Sequence, residues 1–114
     1  MRHVAEQLDG KPLSEPVLLI LLSLADQPRH GYALLKDIET LSGGRVRMGT
    51  GTLYGALRRL LEDQWIQRFE QHDTSREKQA YRLTATGRKQ LQQEIQRMKQ
   101  LTRAANSRLR TGEA

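Results

Sequence analysis

One stretch near the middle of the chain, from Gly49 to Ile66, constrains the fold more than any other. Its apolar residues recur at intervals of three and four, which places them on one face of a helix. They are Leu53, Ala56, Leu57, Leu60 and Leu61. The opposite face and its margin carry Gly51, Gly55, Arg58, Glu62, Arg59 and Tyr54. Such a helix must bury its leucines and present two arginines and a phenol outward.

A helix with this outward face suits a DNA groove, where arginine meets phosphate or guanine and a small residue lets the backbone come close. Thr50 or Thr52 is expected to cap its start by accepting a backbone N–H. The alternative from these residues alone is an ordinary surface helix with solvated arginines. The rest of the chain has to decide between the two.

Two further helices are predicted before this stretch. Ser14 caps the first, which runs to about Ala25 and is apolar nearly all round. The second runs from about Tyr32 and ends at Gly43 and Gly44, which supply a left-handed conformation. Its inward residues are predicted to be Leu34, Leu35, Ile38 and Leu41, and its water-facing ones Lys36, Asp37 and Glu39. A short bridge over 45–48 follows, in which Val46 could add one strand position. Three helices with short connections match a helix-turn-helix whose third helix is the reader.

After Ile66 the pattern changes to that of two strands, 66–71 and 79–83. Their predicted inward residues are Phe69, Tyr81 and Leu83. The polar segment 72–78 makes a hairpin tip, and a hairpin directly after the third helix is a wing. Its basic residues are Arg68, Arg76, Lys78 and Arg82. A solvated charged loop is the alternative, because three acidic residues partly offset this charge.

From Thr84 the chain is helical again, through about Arg103 and at most to Leu109. A coiled-coil seam is indicated by apolar residues spaced alternately by four and three. It comprises Leu91, Ile95, Met98, Leu101, Thr102, Ala105 and Leu109. We expect this seam to pair with its counterpart in a two-fold homodimer, with help from an N-terminal arm that carries Val4 and Leu8. Packing back on its own domain is the alternative.

Charge and composition limit the function classes. The chain has 19 Lys and Arg against 13 Asp and Glu, a formal charge of +6, which favours a polyanionic partner. The apolar run over 17–25 is too short to span a membrane, and the absence of cysteine suits the cytoplasm. His3, His30 and His72 lie on separate predicted elements without metal-ligand spacing. The sequence therefore predicts neither an enzyme nor a metal or cofactor.

Together these residues resemble the PadR family of bacterial transcriptional regulators. The resemblance lies in LLILLSLADQPRHGYALLKDIE, GTLYGALRRLLEDQWI and YRLTATG, which cover most of 16–87. It implies a winged helix-turn-helix whose C-terminal helices dimerise, in the subgroup with a single C-terminal helix. It also implies an operator-binding repressor that a small molecule or stress signal releases. Gly55 stands where the family usually has proline, and Gln64 where it has glycine, so Gln64 is expected to adopt the turn conformation of that glycine.

The predicted fold is mainly α with a small β-hairpin. An arm spans 1–13, a winged helix-turn-helix 14–83, a dimerisation helix 84–109 and a frayed tail 110–114. We predict a homodimer that binds double-stranded operator DNA, and the predicted DNA contacts are Tyr32, Thr50, Thr52, Tyr54, Arg58, Arg59, Arg76 and Lys78. An effector pocket would be lined by Trp65, Phe69 and Met98. The alternative function is a winged-helix module that binds an acidic protein instead of DNA.

Overall fold

The computed structural model describes residues 11–69 and 79–113. The described elements are α1 (Glu15–Ser23), β1 (Arg29–His30), α2 (Gly31–Leu41), α3 (Thr50–Glu62), β2 (Ile66–Phe69), β3 (Ala80–Leu83) and α4 (Ala85–Glu113). A three-stranded antiparallel sheet with the order β1-β3-β2 leans on the helices. This is the predicted winged helix-turn-helix with a long C-terminal helix. Val4, Leu8, His72, Arg76 and Lys78 lie outside the described residues.

The core is built from α1, α2 and α3, and each contributes residues from its apolar face. Ser14 caps α1 as predicted, because its side chain accepts from the backbone N–H of Val17 at 3.4 Å. Apolar side chains with at most 6% exposure form one cluster. It comprises Leu19, Ile20, Leu21, Leu24, Leu34, Ile38, Leu53, Leu57, Leu60, Trp65, Ile66, Tyr81 and Leu91. Two strands and the start of α4 therefore close the same core that the three helices begin.

A partly buried polar cluster joins the end of α1 to α2 and β1. The Ser23 hydroxyl, 1% exposed, donates to Oδ2 of Asp37 at 2.6 Å. The Arg29 Nε donates to the Ser23 carbonyl at 2.7 Å and lies 3.6 Å from the same carboxylate. Asp37 was predicted to face water, but its side chain is only 25% exposed and turns toward Ser23 and Arg29. These polar contacts help to fix the angle between α1 and α2, which the packing of leucines alone does not determine.

Both α2 and α3 end in the same backbone motif. At the end of α2, the N–H of Gly44 donates to the carbonyl of Glu39 and that of Gly43 to Thr40, with Gly43 at φ +65°. This is the Schellman pattern, in which the first residue past the cap is left-handed. At the end of α3, Trp65 donates to Leu60 and Gln64 to Leu61, with Gln64 at φ +64°. The expected left-handed conformation of Gln64 is confirmed.

The start of α4 is fixed against the turn that follows α3. The Thr84 hydroxyl donates to the Gln64 carbonyl at 2.6 Å and accepts from the backbone N–H of Gly87 at 3.0 Å. A Cβ at Gly87 would lie 2.0 Å from the Trp65 carbonyl oxygen, so only glycine fits there. The threonine and glycine of the sequence YRLTATG therefore have local structural reasons: Thr84 caps the helix, and Gly87 lets it approach the backbone of Trp65 just before the wing's first strand.

The helix α4 spans 29 residues, roughly 44 Å at 1.5 Å per residue. Leu91, assigned to a dimer seam, is 4% exposed in the subunit's own core, and Ile95 packs against that core. For these two residues the alternative of packing back on the same domain is correct, because α1 already covers that part of the helix. Beyond them, Met98, Leu101 and Leu109 are 40%, 57% and 65% exposed. The helix continues through Glu113, so the tail predicted to be frayed is helical up to that residue.

Several local predictions are wrong. Neither Thr50 nor Thr52 caps α3, because both lie inside the helix and the cap residue is Gly49 without a side-chain hydrogen bond. Val46 adds no strand position; its backbone N–H donates to the Ser42 hydroxyl at 2.9 Å. The sequence predicted two strands, but the sheet has a third, β1. It has only two residues, which is too short to give a sequence pattern. Leu41 shares the inward face of α2, but it is the last residue of that helix and is 48% exposed.

The matched ends of α2 and α3 predict opposite effects of two substitutions. Gln64→Gly should raise the free energy of unfolding by about 1 kcal/mol, because a left-handed conformation strains any residue with a Cβ and the Gln64 side chain is exposed. Gly43→Ala should lower it by about the same amount, since no heavy atom lies near its added Cβ and only φ is unfavourable. Urea denaturation measures both. A loss of stability in Gln64→Gly would contradict the account.

A buried carboxylate on α4 predicts a pH effect. Glu94, with its side chain 4% exposed, accepts from Arg97 at 3.0 and 2.6 Å and from the Leu13 backbone N–H at 3.4 Å. Hydrogen bonds from Arg97 lower the pKa of Glu94 below its ordinary value of 4.5, although burial opposes this. A carboxyl whose pKa is lower when folded stabilises the protein above its unfolded pKa, and the contribution is lost as pH falls through the folded pKa.

Wild type should therefore be more stable than Glu94→Gln at pH 7. The difference should shrink as the pH falls below about 4.5. Urea denaturation of both proteins between neutral and acidic pH measures it. A difference that stays constant down to the acid limit of folding would show that the charge of Glu94 is not responsible.

Candidate nucleic-acid interface

The outward face of α3 is organised around two glycines. Leu53, Leu57 and Leu60 are 0%, 1% and 4% exposed and hold the helix to the core. At about 100° per residue, Gly51 and Gly55 lie on the side opposite these leucines, with Arg58 to one side of them and Arg59 to the other. Both arginines are exposed, and neither forms a salt bridge with another residue within 11–69 or 79–113. The helix therefore presents the backbone at its two glycines, without side chains, between two guanidinium groups.

Two other arginines, in the segment between α2 and α3, are paired with acidic residues. Arg45 pairs with Glu15, and Arg47 lies 3.3 Å from Glu39. These pairs tie the connection before α3 to α1 and α2. The surface around α3 therefore keeps its positive charge while that of the connecting segment is largely neutralised.

The phenol of Tyr54 lies on the flank of α3 that faces α2. It is 44% exposed, and its hydroxyl reaches the backbone at Gly31, the first residue of α2. Tyr32, next along α2, is 68% exposed, and the Lys36 Nζ lies 5.4 Å from its ring centroid. The sequence-predicted contacts Tyr32 and Tyr54 are thus brought together at the amino end of α2. Arg58 follows Tyr54 by four residues and shares its side of α3.

The wing contributes a further positive side chain, Arg68, which was not among the predicted DNA contacts. Arg68 on β2 is paired with Tyr81 on β3, so both side chains point to the same face of the sheet. Burial is the largest cause that raises the pKa of Tyr81; Tyr54 raises it further and Arg68 opposes the rise. Arg68 is exposed and donates to the Gln79 side-chain oxygen at 3.2 Å. The signal for its orientation is the strand register, which the sequence does not specify.

Arg82 lies on the other face of the wing. Its register partner is Gln67, and its guanidinium is 5.3 Å from the ring centroid of half-buried Phe69. The two arginines of the described hairpin therefore point to opposite sides. Of these two, Arg68 is the one that shares its face of the sheet with Tyr81. Arg76 and Lys78, the predicted wing contacts, lie outside the described residues.

The predicted effector residues are not brought together. Trp65 lines a surface cavity of about 330 Å³ between the segment 11–14 and α3. The other lining residues of this cavity include Val17, Ala56, Arg59 and Asp63, but neither Phe69 nor Met98. The buried Trp65 indole N–H has no hydrogen-bond partner within the described residues. Arg59 is thus on the cavity side of α3, while Arg58 is on the Tyr54 side.

Within residues 11–69 and 79–113, no group of three or more His, Cys, Asp or Glu side chains could hold a metal ion. The helices in those two ranges are too short or too polar to cross a bilayer.

Comparison with known proteins agrees with this geometry. The sequence pattern of the transcriptional regulator PadR-like family matches residues 20–93, from within α1 into α4. The chain belongs to the PadR-like family. The matched region includes the whole helix-turn-helix and the wing, which places the exposed face of α3 in the part that the family shares.

Solved structures of PadR-like proteins have the same fold. A PadR family transcription regulator from Clostridium difficile R20291 gives a TM-score of 0.70 at 22% identity, over 84% of this chain and 99% of that one. A PadR-like regulator from Bacillus cereus gives 0.68 at 20% identity, over 82% and 89%. Bacillus subtilis PadR, solved in complex with operator DNA, gives 0.63 at 22% identity, over 75% and 48%. These likenesses establish the fold.

A closer sequence match is to a protein without an assigned role. The chain is 41% identical over 85 residues to an uncharacterized 37.1 kDa protein in transposon Tn4556 of Streptomyces fradiae. The match covers 75% of this chain but 23% of that protein. The chain therefore spans about a quarter of the length of this curated relative.

Proposed function

We propose that this PadR-like chain is a sequence-specific DNA-binding regulator that acts as a homodimeric repressor. The observation that carries the proposal is the attachment of α3: its leucines are buried while its glycines and both arginines face outward. A helix held this way enters a major groove without rearrangement of the fold. The operator complex of Bacillus subtilis PadR supports the same use of this architecture.

The predicted contacts would divide the work of binding among α3, α2 and the wing. Arg58 and Arg59 would read bases or hold phosphates on either side of the Gly51–Gly55 line. Thr50 and Thr52, both exposed on the first turn of α3, would contact phosphates beside the unpaired N–H groups there. The hydroxyls of Tyr32 and Tyr54 would donate to DNA phosphates next to α2. The wing would add Arg76 and Lys78 from its tip and Arg68 from its strand.

The dimer would form through the carboxyl-terminal half of α4. Met98, Leu101 and Leu109 lie on one side of that half, with Ala105 between them, and all are exposed in the single subunit. Burying such a stripe against its two-fold copy removes apolar surface from water. Two α3 helices placed about 34 Å apart would read a palindromic operator in successive major grooves.

Release by a small molecule would use the cavity beside α3 and not a cluster of Trp65, Phe69 and Met98. That cavity contains Trp65 and also Arg59, one of the proposed DNA contacts. A compound bound there would meet the same guanidinium that DNA needs. The proposal therefore connects effector and operator through one side chain.

Removal of Arg58 tests the reading helix. Arg58→Ala should weaken binding to a selected operator by about tenfold or more, because a base or phosphate contact is lost from the centre of the interface. Arg110→Ala, which removes the same charge from the far end of α4, is the matched control and should have little effect. Fluorescence anisotropy at two salt concentrations measures both.

The same titration separates the wing from the helix. Lys78→Ala should lower the dependence of log affinity on log salt by roughly one unit if its ammonium meets a phosphate. A wild-type protein without any salt-dependent affinity for duplex DNA would overturn the DNA-binding proposal. It would favour the winged-helix module that binds an acidic protein.

A charge placed in the seam tests the dimer. Leu101→Asp should dissociate the homodimer, because an isolated carboxylate would be buried between the two α4 helices. Gln100→Asp introduces the same charge about 100° around the helix from Leu101, away from the seam, and should leave the dimer intact. Sedimentation equilibrium gives the mass of each. Equal dissociation of both variants, or of neither, would show that the seam is not the interface.

A further inference from the structure

A glycine at the start of α2 leaves room for a side chain of α3. Gly31 is buried, and a Cβ built on it would lie 2.3 Å from the Tyr54 hydroxyl oxygen and 2.9 Å from its Cζ. Separations under about 3.4 Å lie inside ordinary van der Waals contact. Gly31 also belongs to a regular helix and has no left-handed φ, so its backbone conformation does not require glycine. The position of the phenol is what requires it.

Two other parts of the fold lie near the phenol. Tyr54 projects from α3 one turn before Arg58, and buried Tyr81 on the wing lies close enough to interact with it electrostatically. Strand β1 leads directly from Arg29, the register partner of Tyr81, to Gly31. The ring therefore lies where α2, α3 and β3 meet, and its hydroxyl is beside the amino end of α2.

We propose that Gly31 is a positioning residue for DNA binding, which acts by holding the Tyr54 hydroxyl where it donates to a phosphate. The inference rests on the proposed DNA-binding function. Because a hydrogen bond loses its strength over a few tenths of an ångström and tens of degrees, displacement of the ring removes the contact even though the hydroxyl remains. One phosphate contact therefore depends on two helices at once, with Gly31 on α2 and Tyr54 on α3.

The exposure of Tyr54 makes the proposal testable without unfolding the protein. Since 44% of the residue is already exposed, a methyl group at position 31 can push the ring further into solvent and leave the core unchanged. Gly31→Ala thus displaces the phenol without deleting it. Gly112, an exposed helical glycine with no heavy atom within 4 Å of a built Cβ, provides the matched control.

The experiment is a double-mutant cycle of DNA affinity with Gly31→Ala and Tyr54→Ala. Gly31→Ala should weaken binding roughly tenfold in wild type, a typical loss for a hydrogen bond to a charged group. It should have almost no effect in the Tyr54→Ala protein, where no ring is left to displace. Gly112→Ala should bind as wild type does. Circular dichroism at the assay temperature confirms that each variant is folded.

A second readout identifies the contact itself. Ethylation of a single phosphate should block wild type, and the same ethylation should cease to matter for Gly31→Ala and for Tyr54→Phe. Tyr54→Phe keeps the ring, so it serves if Tyr54→Ala fails to fold. A merely structural role for Gly31 would change stability without changing which phosphate is needed.

The outcomes separate this proposal from the function on which it rests. If wild type binds no duplex, the DNA-binding function and the positioning role both fall. If wild type binds and Gly31→Ala binds equally well, the positioning role alone is overturned. An equal loss from Gly31→Ala with and without Tyr54 would also overturn it.

Discussion

Burial of three leucines beneath α3 is the interaction on which the other features depend. Leu53, Leu57 and Leu60 are almost fully removed from water, which contributes about 2 kcal/mol for each side chain. Their spacing fixes the rotation of the helix about its axis. That rotation decides which residues face outward, so the exposure of Arg58 and of the two glycines is a consequence of packing on the other side.

Polar contacts then set the angles between elements that apolar packing leaves free. The Asp37 carboxylate accepts a hydrogen bond from the Ser23 hydroxyl and lies near Arg29. These contacts fix α1 against α2. Thr84 joins α4 to the turn at Gln64. Gly31 and Gly87 allow two close approaches that any other residue would prevent. The proposed DNA-binding surface is therefore assembled from side chains on separate elements whose relative positions these few contacts help to determine.

Much of this architecture follows from the sequence, for identifiable reasons. The leucines of α3 give a clear three-and-four pattern, and Gly43 and Gly44 end α2 as expected. The periodicity of α4 shows which residues share a face but not which element packs on that face. The sequence therefore could not assign Leu91 to the subunit's own core. Two-residue β1 is too short for any pattern. The contact of Tyr54 with Gly31 and the side on which Arg68 points depend on tertiary approach and strand register, which no local signal reports.

The central claim is that α3 reads DNA as one half of a symmetric pair. Selection of bound sequences from random duplexes with the wild-type protein tests it most directly. The account predicts an inverted repeat whose half-sites are centred about one helical turn apart, the spacing of successive major grooves. Recovery of sequences without any shared element, or of a single asymmetric site bound by one subunit, would contradict it.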